Sequence, residues 1–208
     1  MAHQYFENNE DLAHERQEIK LNLPSIQLSL TTDSGVFSRD RVDYGTMVLL
    51  KAIMTKIQSA ATQKISVLDV GCGYGPIGLV LAKLSPQIHV DMIDVNERAL
   101  QLAQENATKN GVDTQVNIFQ SDGYTSVPAK QYDFVITNPP IRAGKKVVDS
   151  ILKGSQEFLT AQGAVFAVLQ KKQGAPSAKK LLETIYPRVE IIKRDKGYYI
   201  LAAQKNFD

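Results

Sequence analysis

The chain has 208 residues, 43% of them hydrophobic and 22% charged, which is the balance of an ordinary globular protein with one well-buried core. The longest apolar runs are strand-sized and the N-terminus opens with His3, Glu7, Glu10 and Asp11, so no membrane span or apolar signal core is expected and the cytoplasm is the expected location. A lone Cys72 rules out an internal disulfide, and His3, His14 and His89 lack the spacing of metal ligands, so no metal is expected.

The first elements are an acidic arm over residues 7–18 and a small hairpin, 19–23 with 26–30, turning at Pro24. A helix follows from 44 to 57. From residue 65 onward, short β-branched runs alternate with helix-like segments. The runs lie at 65–69, 89–94, 116–120, 134–137, 164–169, 189–194 and 198–203. The helices lie at 77–84, 97–110, 146–158 and 177–185, with apolar residues at helical spacing, as in Ala99, Leu102, Ala103 and Ala107. That alternation predicts an α/β fold, a mostly parallel seven-stranded sheet with helices on both faces. Only Asp195-Lys196-Gly197 joins the last two strands, too little for a crossover, so the last strand is expected to run antiparallel. The expected organisation is one domain over 1–208, with 1–34 as arm and hairpin and 35–208 as the core.

The first strand runs into Asp69-Val70-Gly71-Cys72-Gly73-Tyr74-Gly75-Pro76, a loop whose glycines let backbone approach a ligand closely. Gly73-x-Gly75-x-x-Gly78 also satisfies the dinucleotide pattern, with Asp94 at the distance of a ribose-binding acid, so a nicotinamide dinucleotide competes for the loop. Three carboxylates favour S-adenosylmethionine. Asp69 precedes the first glycine, where it can help hold an ammonium and would repel a pyrophosphate. Asp94, followed by Val95, ends the second strand and can accept from ribose hydroxyls, while Ser121-Asp122-Gly123 follows the third strand and can meet an adenine amino group. Asp94 and Asp122 also sit where helix caps occur.

The fourth strand ends in Asn138-Pro139-Pro140. Two prolines remove donors and stiffen the backbone, and Pro139 keeps Asn138 out of helical geometry, so the tripeptide offers carbonyl acceptors to an amino group. The Asn138 side-chain oxygen and the Pro139 carbonyl can each accept one N–H, turning the lone pair of an amine toward a methyl donor, with proximity supplying the rate and no general base. Charge is uneven around this point: residues 1–141 hold 11 Lys and Arg against 16 Asp and Glu, whereas 142–208 hold 13 against 6. Such a basic segment can flank the site and attract a polyanion, or be a solvated face.

In these motifs the chain resembles the Rossmann-like, class I S-adenosylmethionine-dependent methyltransferases, and within them the small-domain group that includes the RsmC-like ribosomal RNA guanine-N2 methyltransferases. The stretch Gly35-Val36-Phe37-Ser38-Arg39-Asp40-Arg41-Val42-Asp43-Tyr44-Gly45-Thr46 is the most group-specific part. The resemblance implies that this stretch lies over the cofactor and beside the target base, making Phe37, Asp43, Gly45 and Thr46 site residues. It implies RNA, ribosomal RNA or a ribosomal subunit as partner. Guanine-methylating members often carry an aromatic and a histidine after the second proline; here Ile141 and Arg142 take those places, and Phe37 is the ring available for stacking. N6-adenine or a protein glutamine as acceptor, or a non-catalytic RNA-binding module, are the alternatives.

Overall fold

The computed structural model describes residues 12–206. Of the expected acidic arm, residues 7–11 lie outside the described residues, as does His3. From residue 12 the arm is tied to the body: Arg98 donates to the Leu12 carbonyl at 2.7 Å, and the Asp33 carboxylate accepts from the Glu15 N–H at 2.6 Å. Burial pushes Asp33 up, but His14 and the backbone N–H groups of Glu15 and Ser34 outweigh it and hold its carboxyl below the usual range.

Strands β1 (Gln17–Leu23) and β2 (Ile26–Thr32) form the hairpin, an antiparallel sheet of its own. Alternation puts Leu21, Leu23, Ile26, Leu28 and Leu30 inward against helices, with polar residues between them outward. Helix α1 (Tyr44–Ala60) follows, capped by Asp43, whose carboxylate accepts the Thr46 N–H at 3.0 Å.

The main sheet contains β3 (Ile65–Val70), β4 (Ile88–Asp94), β5 (Val116–Gln120), β6 (Tyr132–Thr137), β7 (Leu159–Gln170), β8 (Arg188–Asp195) and β9 (Tyr198–Gln204), in the order β5-β4-β3-β6-β7-β9-β8. The helices between are α2 (Pro76–Leu84), α3 (Glu97–Lys109), α4 (Lys145–Phe158) and α5 (Ala175–Glu183). β3 to β7 are parallel, and β9 runs antiparallel to both neighbours, as the short last connection requires. That connection is a two-residue turn with Lys196 at φ 43° and Gly197 at φ 83°. Positive φ at both positions matches the twist of a hairpin. β8 is the sheet edge, and an irregularity between Ile191 and Lys193 bends it. β7 begins five residues earlier than the periodicity predicts, because Leu159 pairs with Tyr132 through a stretch without apolar alternation.

One apolar core joins α1, α2, α3 and the hairpin to one face of the sheet; the other joins α4 and α5 to the opposite face. This is the expected Rossmann-like architecture. Among the described residues no helix is long and apolar enough to cross a membrane. From β3 the chain builds outward through β4 and β5, then returns to β6 and builds the other way. The carboxyl ends of β3 and β6 therefore flank a crevice at the switch point, where open α/β sheets bind ligands.

Candidate active site

A cleft of about 1250 Å³ opens at that crevice, lined by the glycine loop after β3, the ends of β4, β5 and β6, the stretch before α1 and one side of α4. The loop turns through Gly73 at φ 56°, a left-handed conformation that a side chain would strain, and directs the Gly73 N–H to Asp94 Oδ2 at 2.8 Å. Cys72 lies in the wall, buried; burial above all, with the nearby Asp94 and Asp69, pushes its thiol well up, which disfavours the thiolate that a nucleophile needs.

Asp69 is placed otherwise than its sequence position suggests. Its side chain does not line the cleft. It is fully buried on the face of β3 shared with Ile65 and Val67, beneath α2, and Oδ2 accepts the Gly78 N–H at 2.9 Å. The N-cap of α2 is Gly75, which has no side chain to offer, so a carboxylate from the neighbouring strand serves the helix start instead. Its other oxygen, Oδ1, has no hydrogen-bond partner among the described residues. Burial drives its pKa up to about 7, opposed by the Gly78 N–H and helped by the charge of Asp94.

Asp94 does reach the cleft. Oδ1 accepts the Asn96 N–H at 3.0 Å and Oδ2 that of Gly73 at 2.8 Å. Burial raises its pKa, with the N–H groups of Asn96, Gly73 and Val95 opposing. Val95 and the Ser121-Asp122-Gly123 turn line the wall next to it. Ser121 braces that turn, its hydroxyl donating to the Gly123 carbonyl at 2.9 Å and accepting the Ser126 N–H at 3.0 Å, while the exposed Asp122 carboxylate takes no protein donor among the described residues.

Across the cleft, Asn138 directly follows β6. Its Nδ2 donates to Thr46 Oγ1 at 2.9 Å and to Asp43 Oδ2 at 3.1 Å. A carboxylate can only accept, so these two contacts fix the amide orientation: nitrogen toward α1, oxygen away from it. Among the described residues neither that oxygen nor the Pro139 carbonyl accepts a hydrogen bond, whereas the Pro140 carbonyl takes the Ala143 N–H at 2.9 Å. Asn138, Pro139 and Pro140 all line the cleft.

The stretch before α1 is strapped across the opening. Asn96 holds the Gly35 carbonyl at 2.9 Å and the Tyr74 hydroxyl donates to the Ser38 carbonyl at 3.2 Å, keeping Ser38 at φ 53°. Phe37 is 38% exposed and lines the cleft, so it is presented to whatever enters. Gly71, Gly73, Thr46 and Asp43 line it as well; Gly45, Gly75, Ile141 and Arg142 do not, the last two turning into a 3₁₀ segment before α4. Sequence reading missed Asn106. Fully buried on α3, it accepts the Thr31 N–H at 2.7 Å and donates to the carbonyls of Thr31 and Tyr74, each at 3.0 Å, joining the hairpin to the glycine loop. It also missed Tyr124, whose ring stacks on Phe158 at 4.9 Å and forms the far wall.

Residues 27–202 match the model of the methyltransferase small domain. Uncharacterized protein YbxB of Bacillus subtilis (strain 168) is 43% identical over 206 residues, 99% of this chain and 100% of that protein. Ribosomal RNA small subunit methyltransferase C of Aliivibrio salmonicida is 30% identical over 175 residues, 82% of this chain and 48% of that protein, so the chain spans about half the length of such relatives. Among solved structures, the T. thermophilus 16S rRNA N2 methyltransferase RsmC, in complex with AdoMet and guanosine, superposes with a TM-score of 0.81 at 22% identity, over 92% of this chain and 51% of that one. A ribosomal protein L11 methylase from Lactobacillus delbrueckii subsp. bulgaricus gives 0.64 at 21% identity, over 82% of this chain and 89% of that one.

Proposed function

The chain belongs to the methyltransferase small-domain family, and from that premise we propose that it transfers a methyl group from S-adenosylmethionine to an exocyclic amine of a base in RNA, guanine N2 of ribosomal RNA. The cofactor of this group is S-adenosylmethionine, and the cleft suits it. Asp94 lines the cleft where it can accept from a ribose hydroxyl, Asp122 offers an unpaired carboxylate to an adenine amino group, and the backbone of Gly71 to Gly73 leaves room for the amino-acid end. When bound, the cofactor supplies a methyl already activated by its sulfonium. Asp69 has a supporting part in this reading: it holds the loop through α2 and does not touch the ligand.

The observation that carries the proposal is the fixed amide of Asn138. An exocyclic amine is a poor nucleophile because its lone pair is delocalised into the ring. Two acceptors, Asn138 Oδ1 and the Pro139 carbonyl, would take its two hydrogens and turn the lone pair out of conjugation. Asp43 and Thr46 hold the first acceptor in place before substrate arrives, so reorganisation costs little at the moment of transfer. No proton need be abstracted in the transition state: as the methyl–sulfur bond breaks, the nitrogen takes the positive charge and the sulfonium is left a neutral thioether, after which the nitrogen loses a proton to water. The raised Cys72 thiol has no part.

The test is transfer of labelled methyl from S-adenosylmethionine into unmodified ribosomal subunits, free ribosomal RNA and protein extract, followed by nucleoside and amino-acid analysis. N2-methylguanosine, lost in Asn138→Ala, is the expected product. Label in N6-methyladenosine or in glutamine would keep the amine chemistry and replace the acceptor; no transfer to any of them would overturn the reading.

A further inference from the structure

The sheet edge that carries Asn138 also carries much of the basic third of the chain. β6 and β7 are parallel, β9 is antiparallel to β7 and β8 antiparallel to β9, so the carboxyl ends of β6, β7 and β8 point the same way. Arg142 and Lys145 follow β6, Lys171 and Lys172 follow β7, and Arg194 and Lys196 close β8; all six are exposed. The carboxylates among them are engaged: Asp43 holds Asn138, Asp149 pairs with Lys145, and Asp195 accepts the Tyr44 hydroxyl at 3.1 Å. Lys145 is matched by Asp149, and the five cations that remain outnumber the carboxylates Asp43 and Asp195, so a net positive charge on this edge is left for a partner.

A solvated face would explain scattered lysines. It does not explain the aromatic ring set among them. Tyr44 is 40% exposed and directly follows Asp43, which holds the Asn138 amide. Lys196 Nζ sits 5.0 Å from its ring centroid and the Tyr198 ring 5.7 Å away, tilted by 51°. The turn bearing Lys196 is joined to the end of β7 by the Lys171 N–H, which donates to the Gly197 carbonyl at 2.8 Å. Contacts thus run unbroken from Asn138 through Asp43 and Tyr44 to Lys196 and Lys171. An exposed ring with one cation, Lys196, over it and others along the same edge suits an unpaired nucleotide, with the base on the ring and phosphates on the cations. An acidic peptide would use the cations and leave the ring idle.

We propose that this edge is the surface on which RNA docks, with Tyr44 as the stacking platform for a nucleotide next to the methylated one and Lys171, Lys172, Arg194 and Lys196 as its phosphate contacts. The inference rests on the reading above that the acceptor is RNA.

The experiment measures binding of the full chain to a fragment of unmodified small-subunit ribosomal RNA by fluorescence anisotropy across a salt series, for wild type, Lys171→Glu/Lys196→Glu, Tyr44→Ala and Tyr44→Phe. Thermal melting and S-adenosylmethionine binding check that each variant is folded. The double charge reversal is expected to weaken binding at least about tenfold and to make the salt slope shallower by roughly 1 to 2, since each phosphate contact contributes about 0.7 to 0.9. Tyr44→Ala is expected to lose about tenfold with the slope unchanged, and Tyr44→Phe to bind close to wild type. Folded variants that bind RNA as wild type does, or polyglutamate of matched charge competing as well as RNA, would overturn the surface. Methyl transfer into protein while these RNA-binding losses are seen would overturn the substrate and leave the surface standing. N2-methylguanosine formed at wild-type KM by all variants would do the reverse.

Discussion

The side-chain nitrogen of Asn138 donates to the hydroxyl of Thr46 at 2.9 Å, bridging the end of β6 to the first turn of α1. The bond joins residues 92 positions apart in the chain and sets which face of the amide the cleft receives. Asn138→Ala removes the acceptor itself and is expected to lower kcat by a factor on the order of 10³, leaving cofactor affinity near wild type. Thr46→Val removes one of two anchors while Asp43 keeps the other, so kcat should fall about tenfold with KM little changed. Single-turnover kinetics with saturating cofactor reads both, and equal rates for Thr46→Val and wild type would show that Asp43 alone fixes the amide.

The strand and helix order was legible because each element carries its own period, and the two-residue connection at Lys196-Gly197 left the last strand no direction but antiparallel. Partners of polar side chains were harder to read, since they depend on where distant elements pack. Asn106 lies on the same stripe of α3 as Ala99, Leu102, Ala103 and Ala107, and a polar residue on an apolar stripe is itself a signal of buried hydrogen bonds. What it bonds, Thr31 and Tyr74, becomes visible only once the hairpin packs on α3. For Asp69 the signal was in hand: strand alternation puts it on the face of Ile65 and Val67, under α2, and proximity to the glycines misled.

Asn106→Ala should therefore act at two places at once. It leaves the Thr31 N–H and the carbonyls of Thr31 and Tyr74 without their partner in a buried site, for a loss of about 2 to 4 kcal/mol in urea denaturation. Because Tyr74 belongs to the glycine loop, affinity for S-adenosylmethionine should weaken as well. Loss of stability with unchanged cofactor affinity would confine Asn106 to the scaffold.

Gly45 has helical neighbours, so alanine there would gain about 1 kcal/mol of helix propensity if space allowed. It does not allow. A Cβ would stand 2.7 Å from Tyr198 Cε1 and 2.9 Å from Asp43 Oδ2. Overpacking of this kind costs about 1 to 3 kcal/mol, which exceeds the gain, and it pushes on the carboxylate that holds Asn138. Gly45→Ala is expected to lower both Tm and kcat. Tyr198→Ala frees one side of the clash, so the double variant should be less destabilised than the sum of the two single changes, a non-additivity that a double-mutant cycle measures.

Asp69 makes stability depend on pH in a direction opposite to that of a salt-bridged carboxylate. Its folded pKa of about 7 lies above the usual value of 3.8, since burial and the charge of Asp94 disfavour the ionised form more than the Gly78 N–H favours it. The folded state therefore holds this proton between about pH 4 and pH 7 while the unfolded chain has lost it. Its contribution is fully present below the unfolded pKa and is lost as pH rises through the folded one, by an amount on the order of 4 kcal/mol over the window. Asp69→Asn cannot titrate, and its carbonyl can still accept from Gly78. Measured as the difference from wild type, which cancels what other carboxylates do, the stability of Asp69→Asn should climb from pH 4 to pH 7 and level off above. A flat difference across that range would mean that Asp69 is ionised beneath α2 with its second oxygen supplied by water.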